Sequence, residues 1–194
     1  MLSKLPSKLP ILKVGRRAML RRYEASAQAG DADAMLFLAS VTASEDPAAS
    51  RAWFHRSAEA GNVHAMYIVA LLVEPHDGAA SLMWLERAAK VGHHDALVKL
   101  GVMAQEVGEL ADARMLYEQA ATAGSTVGMF NLGLLLQDTD PKAACGWYLQ
   151  AVEQGDADAM FNLGRLLEAE DPEAARDLWK RAAAAGQVEA QDRL

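Results

Sequence analysis

The sequence predicts an all-α solenoid of five helical hairpins, and three observations carry that prediction. Glycines recur at 30, 61, 92, 124, 155 and 186, at intervals of 31 or 32 residues. Four residues after each stands a small one: Ala34, Ala65, Ala96, Gly128, Ala159 and Ala190. Eight residues before each, from the second onward, stands a large apolar one: Trp53, Trp84, Leu116, Trp147 and Leu178, with Arg22 in that place first. A period in this range marks a stacked helical array, in which each repeat buries its apolar face on its neighbours. The repeats fall near 31–61, 62–92, 93–124, 125–155 and 156–186, within a solenoid that spans 16–194.

The elements follow in chain order. Residues 1–15 read as a basic tail, and 16–29 as a lone helix of the second type, entered from Gly15. Each repeat then opens at its glycine. A left-handed glycine ends one helix, and the residue after it (Asp31, Asn62, Ser125 or Asp156) is suited to cap the next, with His93 a weaker cap in the third repeat. The first helix of each repeat, A, places small or apolar residues four, five, eight and nine positions after the glycine, as in Gly128, Met129, Leu132 and Gly133 or Ala159, Met160, Leu163 and Gly164. That spacing is one buried face. Glycine inside a helix costs about 1 kcal/mol relative to alanine, so Gly133 and Gly164 predict close backbone approach; Ala39 and Ala70 hold the same place earlier.

The second helix, B, often opens with Asp-Pro, at 46–47, 140–141 and 171–172. Aspartate caps, and proline suits the first turn, where its missing N–H has no partner to lose. Paired small residues, a large pair and paired small residues then recur every four positions: Ala143-Ala144, Trp147-Tyr148, Ala151-Val152. The last stretch, 187–194, reads as a polar cap that begins an A helix, with Gln191 where others carry methionine or leucine.

Charge narrows the partners. The net charge of −7 is uneven: residues 1–22 hold seven Lys or Arg and no acid, which leaves twelve Lys or Arg against 26 acids beyond them. An acidic body argues against nucleic acid as the main ligand, because phosphate neutralisation needs a basic face. No run of about 18 apolar residues appears, so no membrane span is expected. Pro6, Lys8 and Pro10 interrupt the start, so no signal-peptide core is read there. The lone Cys145 reads as a packed helix residue, and a single thiol fits a reducing, cytoplasmic compartment.

Chemistry is sparse in the residues. His93-His94-Asp95 is the nearest thing to a metal cluster, but neighbours on a helix start point apart, and no metal or other cofactor is expected. Neither a phosphate-cradling glycine loop nor a Gly-x-Ser-x-Gly string occurs, and no catalytic residue is assigned.

The strings Gly128-Met129-Phe130-Asn131-Leu132-Gly133 and Ala159-Met160-Phe161-Asn162-Leu163-Gly164, with Lys142-Ala143-Ala144-Cys145-Gly146-Trp147-Tyr148 and Arg87-Ala88-Ala89-Lys90-Val91-Gly92, resemble the Sel-1-like repeat family, a relative of the tetratricopeptide repeats. The resemblance covers about residues 16–194 and departs in its short A–B loops. It implies a right-handed superhelix of antiparallel helix pairs and a non-catalytic adaptor or scaffold that binds a protein or peptide. It also implies that the A helices line a concave groove. The candidate contacts are the row seven positions after the glycines, Lys99, Asn131 and Asn162, with Arg165 three residues further on. Asparagine amides bond peptide backbone, and Lys and Arg hold carboxylates. Tyr67, Phe130 and Phe161, six positions after the glycine, are candidate groove aromatics or inter-repeat packing. Two alternatives stand beside this reading. Some family members linked to β-lactam binding or hydrolysis are disulfide-rich, which a one-cysteine chain does not match. A membrane-surface adaptor would use the seven positive charges of residues 1–22.

Overall fold

The computed structural model describes residues 10–194, with side-chain surroundings from Arg17 onward. Residues 1–9 of the expected basic tail lie outside the described residues. Eleven α-helices follow in order among the described residues: α1 (Pro10–Gln28), α2 (Ala32–Thr42), α3 (Pro47–Glu59), α4 (Val63–Val73), α5 (Gly78–Lys90), α6 (His94–Glu106), α7 (Leu110–Thr122), α8 (Thr126–Leu136), α9 (Pro141–Glu153), α10 (Ala157–Leu167) and α11 (Pro172–Ala184), before a 3₁₀ turn at Gln191–Arg193. Even-numbered helices are the A helices, and odd-numbered helices are the B helices. The fold is the all-α solenoid that the repeats predict. Helix α1 begins at Pro10 and passes through Gly15, so the glycine read as its entry lies inside it.

The junctions are built as the sequence implies. Gly124 sits at φ +90°, the left-handed region that a side chain disfavours. Its N–H donates to the Ala121 carbonyl at 2.9 Å, and that of Ser125 donates to the Ala120 carbonyl at 2.9 Å, closing the end of α7. The next side chain then caps the new helix. Asp31 accepts from the Ala34 N–H at 3.0 Å, Asn62 from Ala65 at 2.8 Å, Ser125 from Gly128 at 3.1 Å and Asp156 from Ala159 at 2.7 Å. His93 reaches the Ala96 N–H only at 3.4 Å, the weakest cap of the set. At the other turn, Asp46, Asp140 and Asp171 cap α3, α9 and α11, each followed by its proline. The third repeat, one residue longer, departs here. Its A helix α6 has 13 residues against 11 in the other A helices, and Gly108, at φ +86°, turns the chain before α7, which has no side-chain cap.

The chain divides into two compact units, one up to Ala88 and one from Ala89. In the first, Ala27, Ala34, Met35 and Leu38 form a core, with Leu20, Tyr23 and Trp53 packed on it. Ser50 and Ser57, buried on α3, each tie back to α2: their hydroxyls donate to the Ala39 and Ala32 carbonyls at 2.7 Å. In the second, one continuous core runs from Ala113 through Met129, Leu132, Tyr148, Met160 and Leu163 to Trp179.

Its organising contact joins a glycine nine positions into each A helix to the aromatic seven before the next glycine. A Cβ at Gly101 would sit 2.5 Å from the Tyr117 ring. One at Gly133 would sit 2.5 Å from Tyr148, and one at Gly164 2.5 Å from Trp179. The large ring takes the volume that a methyl would need. Each ring also spends its polar atom: Tyr117 Oη donates to Gln105 at 3.0 Å, Tyr148 Oη to Gln137 at 3.2 Å, and Trp179 Nε1 to the Phe161 carbonyl at 3.2 Å. In the first two repeats the A position is Ala39 or Ala70, and the B position is the less bulky Phe54 or Leu85.

The last stretch differs from its prediction. Gln187 caps the Ala190 N–H at 2.8 Å and Ala190 is fully buried, as at the start of an A helix. The chain then tightens into a 3₁₀ turn, because Gln191 brings no apolar side chain to the core. Arg193 closes that turn, lying over the Trp179 ring at 5.4 Å and bonding Glu168 at 3.2 Å.

Candidate functional site

The same periodicity that buries positions four, five, eight and nine of each A helix turns positions three, seven and ten outward as one stripe. In the unit from Ala89 these stripes read Asp95 and Lys99 on α6, where Val102 packs against the core instead; Val127, Asn131, Leu134 on α8; and Asp158, Asn162, Arg165 on α10. Lys99, Asn131 and Asn162 therefore share one register on three successive A helices, each half-buried, with Arg165 exposed.

Asn162 and Arg165 are joined directly. The Asn162 Nδ2 donates to the Asp158 carbonyl at 2.9 Å, and its Oδ1 accepts from Arg165 Nη1 at 3.3 Å. The amide is thus oriented with its donor spent on its own helix and its acceptor on the guanidinium. Most of the five N–H groups of Arg165 remain for another acceptor. The polar row does not extend into the first unit: there position seven is Phe37, stacked on Tyr23 with ring centroids 4.0 Å apart, and Ile68.

The aromatics separate from the row. Phe130 and Phe161 are half-buried and packed against the core; Phe130 lies 6.0 Å from the Tyr148 ring, tilted at 47°. Position six thus faces the helix seams in this unit, which favours packing over groove contact for these two. Tyr67 holds the same place on α4 and is half-buried. Two side chains that the sequence reading left unnamed belong with the row: Val127 and Leu134, 50% and 37% exposed. Their signal was available, since they stand at positions three and ten of α8, on either side of Asn131.

Electrostatics near the stripe are set mainly by burial. Burial pushes the Tyr148 phenol well up; Arg165 opposes this, and Asp138 adds to it. Burial, then the charge of Glu170, raises the Cys145 thiol, which lowers its thiolate content and hence its nucleophilicity. His93 is spent as a cap, while His94 pairs loosely with Asp95 at 3.8 Å. Among the described residues no three His, Cys, Asp or Glu side chains converge as a metal site would require. Among the same residues no helix is long and apolar enough to cross a membrane.

Comparison with known proteins agrees with this geometry. The family model of the Sel1 repeat matches residues 24–62, 64–93, 94–125, 126–156 and 157–187. None of the curated proteins matches the chain. Among solved structures, c5321, a protective antigen of uropathogenic Escherichia coli with an SLR fold, is 26% identical over 90% of this chain, with a TM-score of 0.80. This chain covers 43% of that protein's length. A Sel1 repeat protein from Oxalobacter formigenes is 21% identical over 85% of this chain and 75% of its own, with a TM-score of 0.76. YrrB, a TPR protein with an unusual peptide-binding site, shares the fold at 18% identity over 88% of this chain and 96% of its own, with a TM-score of 0.55.

Proposed function

Because the chain belongs to the Sel1 repeat family, whose repeat fold is generally a protein-interaction scaffold, we propose that it is a non-catalytic adaptor that holds a partner peptide along the outward face of α6, α8 and α10. The observation that carries this reading is the register of Lys99, Asn131 and Asn162 on three successive A helices. Val127 and Leu134 flank the middle one. The apolar pair supplies contact area, Asn131 offers its amide to an extended backbone, Asn162 holds Arg165 in place, and Lys99 and Arg165 offer charge for a carboxylate. YrrB, which shares the fold, has an unusual peptide-binding site, and that likeness supports a peptide as the class of partner here.

The test is selection of a random peptide library on the immobilised chain, with the peptides re-measured on a Lys99→Ala, Asn131→Ala, Asn162→Ala variant of matched circular dichroism. Peptides that lose at least tenfold in affinity on the variant support the groove. Selected peptides that bind both proteins equally would remove it.

A further inference from the structure

In the unit up to Ala88, two consecutive B helices carry the same cation over the same indole. Trp53 and Trp84 stand eight before their glycines, and Arg56 and Arg87 stand five before them. The Arg56 guanidinium lies 5.1 Å from the centre of the Trp53 ring, and that of Arg87 lies 4.3 Å from the centre of the Trp84 ring. His55 meets the Trp84 ring edge-on at 6.4 Å from α3, so the two stacks are neighbours. Both arginines are exposed. Neither has a carboxylate partner among the described residues, although Glu59 stands three after Arg56 and Glu86 adjoins Arg87. In the unit from Ala89, by contrast, three exposed arginines hold carboxylates: Arg114 bonds Glu118 at 2.8 Å, Arg181 pairs with Asp177 at 3.8 Å and Arg193 bonds Glu168 at 3.2 Å.

Stacking occupies the flat face of a guanidinium and leaves its in-plane N–H groups to bond outward. It also holds the long side chain in place, so less freedom is lost when an acceptor arrives. One turn before Arg87 the same face of α5 carries the exposed Met83, with the exposed Leu82 beside it. We propose that α3 and α5 form a second docking surface, separate from the A-helix face, for an acidic segment of a partner protein. Its carboxylates take Arg56 and Arg87, and an apolar side chain of the same segment covers Leu82 and Met83. Carboxylates fit this face better than the phosphates of a nucleic acid. Two cations beside Glu59 and Glu86 suit separate single charges and repel a continuous polyanion, and the apolar pair has no partner on a sugar-phosphate backbone.

The probe is a fluorescein-labelled peptide that repeats Glu-Glu-Leu four times, titrated with the full chain and read by anisotropy at physiological ionic strength, beside its Gln-Gln-Leu counterpart. Saturable binding of the glutamate peptide alone is expected. It should fall at least fivefold in each of Arg56→Gln and Arg87→Gln, and several-fold in Arg56→Lys and Arg87→Lys, which keep the charge but lose the planar fork. Arg114→Gln, which removes an arginine already paired, should change it less than twofold. Both stacked arginines are exposed, so the variants keep the fold, and circular dichroism verifies this. The proposal is overturned by an absence of binding, or by an equal loss in Arg114→Gln, which would leave only bulk charge. It is overturned too by affinity unchanged in Arg56→Gln and Arg87→Gln, which would assign the peptide to the basic residues 1–22. A thymidine oligonucleotide that binds more tightly and with the same dependence on Arg56 and Arg87 would also overturn it, in favour of phosphate.

Discussion

Substituting Gly133 by alanine tests the packing logic of the solenoid directly. By propensity alone the change is favourable, since alanine in a helix interior is about 1 kcal/mol better than glycine. The structure reverses the sign. The new methyl would lie 2.5 Å from Tyr148 Cε1 and 2.7 Å from Cδ1, far inside contact distance. The ring cannot swing away, because Tyr148 is fully buried and its hydroxyl is tied to Gln137. Overpacking of this kind costs about 1–3 kcal/mol, and the held ring puts the cost in the upper part of that range, for a net loss of about 1–2 kcal/mol after the propensity gain. The decisive comparison is the same substitution in a Tyr148→Leu background, which recreates the Ala70 and Leu85 pair of the second repeat. There Gly133→Ala is expected to stabilise. Urea unfolding of the four proteins, followed by circular dichroism, gives the coupling, expected at about 2–3 kcal/mol and thus large for a contacting pair. If alanine stabilises the wild-type chain, or costs the same in both backgrounds, the pairing of glycine with ring is not what fixes glycine there.

Three further outcomes follow from the same contacts. Asn62→Ala removes both the cap on Ala65 and the bond to Asp33 at 2.7 Å, so its cost is expected near the top of the ~0.5–2 kcal/mol capping range, above that of Asp33→Ala, by urea titration. Alkaline stability should be set by the buried phenols. Burial raises Tyr117 and Tyr148 in the fold, so the unfolded chain ionises first, near the ordinary tyrosine value of about 10. The stability these groups contribute is whole below that pH and is lost as pH rises toward their folded values; Tyr148→Phe should flatten the decline in Tm above pH 10, whatever it costs at pH 7. Cys145, its thiol raised by burial and then by Glu170, should react with a maleimide more slowly than a free thiol at pH 7.5, and Glu170→Gln should narrow the gap.

Much of the fold was legible because each repeat states the same constraint several times. The left-handed glycine, its polar successor and the small residue four beyond agree at nearly every junction, so no single exception could mislead. His93 shows the tolerance: it caps poorly, yet α6 starts on register. What the sequence left implicit was pairing at a distance. Gly133 and Gly164 announce close approach, but the ring that approaches lies 15 residues away on the B helix, and only the fold shows that Tyr148 and Trp179 fill those notches, as Tyr117 fills that at Gly101. Gly128 illustrates the same limit. It reads as another small residue at position four, yet a Cβ there would meet the backbone nitrogen of Ala121 at 2.9 Å, so α7 and α8 approach more closely than an alanine would allow. The close of the chain was misread for a related reason: Ala190 is buried as at the start of an A helix, but Gln191 brings no apolar side chain to carry the helix on, while α1 simply runs through Gly15.

The candidate site was only partly legible, and the reason bears on how such a surface evolves specificity. Positions four, five, eight and nine are fixed by packing, so their residues repeat. Positions three, seven and ten are released by the same geometry, so they vary, and variation in one sequence carries no label. In the unit from Ala89 that released face is graded: Asp95 and Lys99 on α6, apolar around Asn131 on α8, and Asp158, Asn162 and Arg165 on α10. A partner lying across it meets charge, then apolar surface, then charge again. Binding energy on such a face is shared among several side chains, with the central apolar contacts weighing most. It follows that Leu134→Asp should weaken any groove peptide more than Asn131→Ala does. Leu134 is more than one-third exposed and contributes little to the core, so it can be changed without unfolding the repeat. Surface plasmon resonance with one selected peptide ranks the two. If Asn131→Ala has the larger effect, amide bonding to the backbone governs recognition, and the apolar centre of the face is incidental.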